Sequence, residues 1–322
     1  MKKMMKLTAL ILTAAMAMTG CGGSGGSADA EGKYKVGIVQ QLEHPALDAA
    51  SLGFQEKLTE LTDGNVVFDY QNAQGEQTNC TTIATKFVSD GVDLIMANAT
   101  TALQSAAAAT ADIPIVGTSV TDYVTAGVVE SNEAPGRNVT GASDLAPIDE
   151  QIAMLMELIP DVQKVGILYC SAEPNSIYQS ELAQAELDKA GVAWAEYTAA
   201  DSNEVQSVVT KAISECDVLY VPTDNTMANN TEIIKNVAVP AGVPVIAGEE
   251  GICSGCGVAT LAISYYDLGA KAAEMAYEIL VNGVSPAEMP IAYVSEGITE
   301  KYNAEIAETL KVAIPEGMVA IG

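Results

Sequence analysis

Two long runs of this chain carry the same order of short apolar segments and amphipathic stretches, and that repetition constrains the fold more than any other feature. The first run passes through "YKVGIVQ" (34–40), "NVVFDYQ" (65–71), "VDLIMAN" (92–98) and "IPIVGTS" (113–119). These segments are short, rich in β-branched residues and nearly all apolar, the pattern of parallel strands covered on both faces. Amphipathic stretches over 46–61, 77–89 and 102–110 lie between them and predict helices. Such a βαβαβαβ order implies a parallel sheet with right-handed crossovers. The second run repeats it with "KVGILYC" (164–170), "VAWAEYT" (192–198), "DVLYVPT" (217–223) and "VPVIAGE" (243–249), with helices expected over 181–190, 204–214 and 229–238. The third segments ("DGVDLIMANATT", "ECDVLYVPTDNT") and the fourth ("DIPIVGTS", "GVPVIAGEE") correspond in position, which marks a structural duplication. The polar, Gly-rich stretch 136–147 reads as the junction. Beyond the repeat, 257–264 and 291–297 read as strands and 265–283 and 303–311 as helices. The first of these helices has Leu268, Ala272, Met275, Ala276 and Ile279 on one face. The expected fold class is α/β, with two doubly wound, Rossmann-like parallel-sheet domains, as a length of 322 residues also favours.

Residues 1–20 stand outside that fold. "MKKMMK" is a cationic leader, and "LTALILTAAMAM" is apolar but too short to span a bilayer. "MTGC" follows, a small residue before a cysteine, which resembles a bacterial lipobox although Met18 replaces the usual leucine. Cleavage there would leave Cys21 at the N-terminus as the lipidated residue. The Gly/Ser-rich segment 21–32 would be its flexible tether. The alternative is an ordinary secretion signal with a chance cysteine. The expected location is the cell envelope, lipid-anchored on the outer face of the cytoplasmic membrane. Of 15 Lys+Arg, the leader takes Lys2, Lys3 and Lys6, leaving 12 against 42 Asp+Glu. So acidic a chain excludes a nucleic-acid partner and argues against electrostatic docking on anionic lipid.

Ligands of open α/β sheets bind beyond the carboxyl ends of the strands. In the first run the residues there are Gln40, Gln41, Glu43 and His44, then Asn72 and Gln74, Asn98 and Thr100, and Thr118, Ser119 and Asp122. In the second they are Ser171, Glu173, Asn175 and Ser176, then Thr223, Asp224, Asn225 and Thr226, and Gly248, Glu249 and Glu250. Any one could simply cap a helix; together they describe two polar edges that could face each other across a cleft. Arg137 is the only arginine and lies in the junction. A ligand carboxylate would therefore be held by backbone N–H groups at helix starts and by hydroxyls, with Thr100, Thr101 and Ser119 as candidates. An ammonium group would suit Glu43, Asp122, Asp224 or Glu249. The edge thus suggests a zwitterion, and truncating Asp224 is expected to weaken binding while leaving the fold intact.

No catalytic set accompanies these residues. No Gly-x-Ser-x-Gly elbow follows a strand, the match at 22–26 being part of the tether, and no phosphate-binding glycine loop follows one either. No cofactor or metal is expected. "CSGC" (253–256) has Cys-x-x-Cys spacing but no second pair, and it reads as a Gly-rich turn holding a local disulfide or two inert thiols. His44, the only histidine, precedes Pro45, a residue suited to the first helical position. That makes His44 an N-cap, with its side chain either lining the cleft or merely capping.

The leader, the tether and the two βα halves resemble the solute-binding lipoproteins of ABC importers, with the type I periplasmic-binding fold. "VGIVQQLEHPALDAASLGF", "NVTGASDLAPIDEQIAMLMELIPDVQKVGILYCSAEPNS", "VPTDNTMANN" and "IAGEEG…GVATLAISYYDLG" resemble the branch that includes tryptophan- and other aromatic-amino-acid-binding proteins. The resemblance covers 33–322, and "CSGC" departs from it. It implies two lobes joined by a three-strand hinge, crossed near 140, 264 and 294. Residues 33–140 plus 265–294 would form the N-terminal lobe, and 141–264 plus 295–322 the C-terminal lobe. It also implies a monomer that captures an extracellular amino acid, aromatic in class, and delivers it to ABC permease subunits. Tyr123, Tyr169, Tyr178 and Tyr265 are the stacking candidates. Other ligands (a branched amino acid, a nucleoside or a sugar), a ligand-sensing subunit and an exported enzyme using the acidic pair remain the alternatives.

Overall fold

The computed structural model describes residues 32–294 and 298–321, so Cys21, the expected leader and most of the tether lie outside the described residues. The first run folds as β1 (Tyr34–Gln40), α1 (Pro45–Leu61), β2 (Val66–Asn72), α2 (Gln77–Asp90), β3 (Leu94–Asn98), α3 (Thr100–Ala109), β4 (Ile115–Val120) and β5 (Val139–Ser143). The second comprises α4 (Ile148–Leu158), β6 (Lys164–Cys170), α5 (Pro174–Ala190), β7 (Ala193–Ala199), α6 (Val205–Ile213) and β8 (Val218–Val221). It continues with α7 (Asn225–Ala228), α8 (Thr231–Ala241), β9 (Val245–Ala247), α9 (Glu250–Cys256) and β10 (Ala259–Ala262). The chain ends with α10 (Tyr265–Leu280), β11 (Ala292–Tyr293), β12 (Thr299–Tyr302), α11 (Ala304–Leu310) and β13 (Val319–Ala320).

These strands form two sheets, ordered β11-β5-β4-β3-β1-β2 and β13-β12-β10-β9-β8-β6-β7. All pairings are parallel except β10 with β12. The duplication holds at the level of topology. β1 is flanked by β2 and β3, as β6 is flanked by β7 and β8, so each sheet has its switch point beside its first strand. The chain passes between the sheets three times: after β5, after β10 and after β11. α10 returns to the first sheet, where Leu268, Ala272 and Met275 share a core with Phe54 and Leu58 of α1. Among the described residues, no helix is long and apolar enough to cross a membrane.

Four local expectations are corrected. The junction 136–147 contains β5, buried along its whole length. Thr and Gly hide an apolar environment that comes from its neighbours; a Cβ on Gly141 would meet the Gly117 carbonyl at 2.2 Å. Helix α5 starts at Pro174 rather than 181, because Pro at the first position sets φ for a helix over the polar "NSIYQS". The helix expected over 229–238 is α8, which starts two residues later, and an unforeseen short helix, α7, precedes it across Asn229 and Asn230. Finally, "CSGC" is the last turn of α9 rather than a loop. The Glu249 carboxylate caps that helix by accepting from Gly251 N and Ile252 N, so the glycines are wound into it. Cys253 and Cys256 are buried free thiols, and burial raises both above the ordinary thiol range.

Candidate functional site

The carboxyl edges of the two sheets face each other, and the polar residues beyond them divide into a supporting frame and a cavity lining. In the first lobe, Gln40 and Asn98 belong to the frame. Gln40 Nε2 donates to Leu42 O and Asp48 Oδ1, and its Oε1 accepts from Ser51 Oγ. Asn98 Nδ2 donates to Leu47 O at 2.8 Å and Ser51 Oγ at 3.0 Å. Gln41 Oε1 accepts from Thr101 N at the start of α3. Asn72 Oδ1 accepts from Gln74 N within a turn. Asp122 accepts from Thr125 N and Asn132 Nδ2, which hold its carboxyl below the usual range against the opposing effect of burial. It serves its own turn and does not line the inner cavity. Glu43 is exposed.

Strain concentrates on the same edge. Gln74, Ala99 and Ser119 all have positive φ, at the ends of β2, β3 and β4. Ala99, at φ 86 and ψ 160, occupies a region that is nearly glycine-only and holds the start of α3 in place. At Ser119 the β4–β5 register shifts, which sets this residue apart from its strand. Thr100, Thr118 and Ser119 are buried. The Thr118 and Ser119 hydroxyls have no hydrogen-bond partner.

In the second lobe, Glu173 accepts from the backbone N–H and the side chain of both Asn225 and Thr226. Asp224 Oδ2 accepts from Cys170 N at 2.6 Å, and Oδ1 accepts from Met227 N at 2.7 Å. These two carboxylates clamp α7 onto β6, so an alanine at Asp224 would loosen the fold, contrary to the expectation of a neutral truncation. Burial, then the adjacent Glu173 charge, raises the Asp224 pKa. Ser176 is fully buried beside it. Asn175 Nδ2 donates to Thr223 O at 3.3 Å, and Thr223 Oγ1 donates to Gly248 O at 3.4 Å. Gly248 has no room for a side chain, since a Cβ would stand 2.5 Å from Thr223 N. Ser171 is exposed, and Glu250 turns to Lys301 Nζ at 2.6 Å, so neither joins the cavity.

The lobes meet around a small enclosed cavity of about 10 Å³, lined by His44, Leu47, Ser119, Asp144, Asn175, Thr223, Asp224, Asn225, Ala228, Glu249 and Tyr265. Its outer neighbour is an open polar mouth of about 730 Å³, between Leu42 and Glu43 on one side and Glu173 and Thr226 on the other. His44 stands at the partition. It occupies the N-cap of α1 but makes no capping bond. Instead its Nε2 meets Asn225 Oδ1 across the cleft at 3.2 Å. A carbonyl oxygen can only accept, so Nε2 carries the proton and Nδ1, which is buried and unpartnered, presents a lone pair. Burial lowers the His44 pKa, which keeps the ring neutral.

Sequence reading missed Asp144 and Thr121. Asp144 follows β5 at the first passage between sheets, and Tyr265 opens α10 at the second. Tyr265 OH donates to Asp144 Oδ2 at 2.9 Å, Thr121 Oγ1 donates to Asp144 Oδ1 at 3.0 Å, and Gln179 Nε2 of α5 donates to Thr121 Oγ1 at 3.3 Å. Three carboxylates thus border the cavity, with exposures of 3% for Asp144, 1% for Asp224 and 2% for Glu249. No lysine or arginine is among the lining residues. Burial raises the pKa of Asp144 and pushes Glu249 up to about 7. Of the tyrosines, only Tyr265 lines the inner cavity. Tyr123 is fully buried and donates to Ala142 O, and Tyr169 is a core residue bonded to Glu196. Tyr178 is half-buried on α5.

The profile of the ABC transporter substrate binding protein family matches residues 35–321. The chain belongs to that family. A curated relative of this substrate-binding protein, the tyrosine-binding protein of Clostridioides difficile, is 38% identical over 310 residues, covering 92% of this chain and 90% of the relative. The ABC domain from Streptococcus pneumonia, solved in complex with L-Trp, is 33% identical with a TM-score of 0.86, over 90% of this chain and all of that one. A ligand-free, open structure of a substrate-binding protein with adhesive properties from Clostridium difficile is 38% identical. Its TM-score is only 0.69, over 89% of this chain and 99% of that one. Shape therefore does not follow identity here. As a whole this substrate-binding protein superposes better on the L-Trp complex than on the open structure.

Proposed function

We propose that this protein is the extracytoplasmic receptor of an ABC importer and that it captures an aromatic amino acid between its lobes, without covalent chemistry. The observation that carries the reading is the inner cavity, where buried carboxylates, the unpartnered Ser119 hydroxyl and a neutral histidine gather without a lysine or arginine. Such a lining suits an ammonium group, and the strained start of α3 with Ser119 suits a carboxylate. The tyrosine-binding and L-Trp-bound relatives support an aromatic side chain. The inner cavity is too small for a ring, so the ligand enters as the lobes part and is held as they close. The receptor acts as a monomer, tethered through a lipid on Cys21, and its closed form is what the ABC permease subunits recognise.

Thermal-shift screening of the chain lacking its leader against the twenty amino acids, sugars and nucleosides tests this. Tyrosine or tryptophan should raise the melting temperature most, because a ligand that binds only the folded state stabilises it by mass action. A large shift with a sugar or nucleoside and none with an aromatic amino acid would replace the ligand class.

A further inference from the structure

We propose that Asp144 is the residue that receives the ammonium group of the ligand. The inference rests on the amino-acid reading above and adds a residue that the strand-end pattern does not name, within the "NVTGASDLAP" stretch. Three carboxylates border the cavity, and their partners separate them. Asp224 is answered by the backbone N–H groups of Cys170 and Met227, and Glu249 by those of Gly251 and Ile252. Each already holds the start of a helix. Asp144 has the hydroxyls of Thr121 and Tyr265 and its own N–H, and no N–H from a helix start. A carboxylate offers about four acceptor positions. An ionised carboxylate at 3% exposure, without a cation, is costly unless a charged donor joins it. An ammonium group brings three donors and a full charge.

A second observation points to the same chemistry. His44 Nδ1 presents a buried, unpartnered lone pair in this cavity, and the Ser119 hydroxyl beside it also lacks a partner. An N–H-rich cation satisfies the first. The place is also fitting, because Asp144 and Tyr265 lie at two of the three passages between the sheets and Thr121 links them to Gln179 of the opposite lobe. A charge bound there touches both lobes at their pivot.

The test compares L-tyrosine and L-tryptophan with their des-amino analogues, 3-(4-hydroxyphenyl)propionate and indole-3-propionate, by calorimetry. The wild type should prefer the amino acids by at least about tenfold, the size expected of a charge-assisted hydrogen bond. Asp144→Asn should remove that preference by weakening amino-acid binding while the analogues bind as before or better. If Asp144→Asn does not fold, Asp144→Ser leaves a hydroxyl for Tyr265 and gives the same readout. A variant that keeps the wild-type preference overturns the role of Asp144 and leaves the receptor reading standing. A wild type that binds neither amino acid overturns both.

Discussion

A carboxylate sealed inside a protein costs stability while it is ionised, and Glu249 is the clearest instance here. Its two helix-capping bonds hold the charge, yet burial dominates and pushes its pKa from 4.5 up to about 7. A raised folded-state pKa means that the folded chain holds the proton more tightly than the unfolded chain. The resulting stability is complete below pH 4.5 and is lost as the pH rises through about 7. Burial shifts Asp144 and Asp224 in the same direction. The ligand-free protein should therefore resist urea better at about pH 5 than at about pH 7.5, with Glu249 supplying on the order of 2 kcal/mol between them. Glu249→Gln should flatten that slope, and a urea midpoint independent of pH would remove the argument. Residue types after strands were legible as polar, but not their duties. Asp224 and Glu249 read as ligand groups, and they cap helices while also bordering the cavity. Asp144 could not be read at all, because its partners Thr121 and Tyr265 come from segments 23 and 121 residues away.

At the scale of elements, the contact between α1 and α10 sets the position of the second passage between lobes. The two helices approach so closely that a Cβ on Gly53 would lie 2.1 Å from the Tyr266 carbonyl oxygen, and one on Gly269 would lie 1.9 Å from that of Ala50. Both obstacles are backbone, which cannot rotate aside. Gly269→Ala should lower stability in urea by about 1–3 kcal/mol through overpacking, despite the better helix propensity of alanine. An unchanged midpoint would mean that the helices have room to part. The apolar face of α10, from Leu268 to Ile279, was plain from its period, as was every strand built from an apolar run. What escaped reading had its signal elsewhere. β5 is buried by its neighbours rather than marked by its own composition. α5 begins in a polar stretch whose cue was Pro174, and α9 winds through glycines because Glu249 caps it.

For the whole molecule the question is what holds the lobes together once they close. Near the passages between the sheets, Gln179 of the second lobe ties to Thr121 of the first, and Tyr265 to Asp144 joins two of the passages. His44 to Asn225 is different: it spans the cleft at the partition between the inner cavity and the mouth. A ligand in the inner cavity cannot leave past this pair without breaking it, so the pair acts as a latch on release more than on capture. A neutral hydrogen bond contributes about 1 kcal/mol, which corresponds to roughly fivefold in a rate. His44→Ala should therefore speed the dissociation of L-tyrosine by at least about that factor in stopped-flow measurements, because the ammonium contact at Nδ1 is lost as well, with little change in association. The backbone of His44 already ends the loop without a capping bond, so the variant should fold as the wild type does. Small-angle scattering supplies the second readout: saturating L-tyrosine should still contract the variant, because the hinge ties remain. A dissociation rate equal to that of the wild type would show that closure is held at the hinge alone and that the histidine only lines the wall.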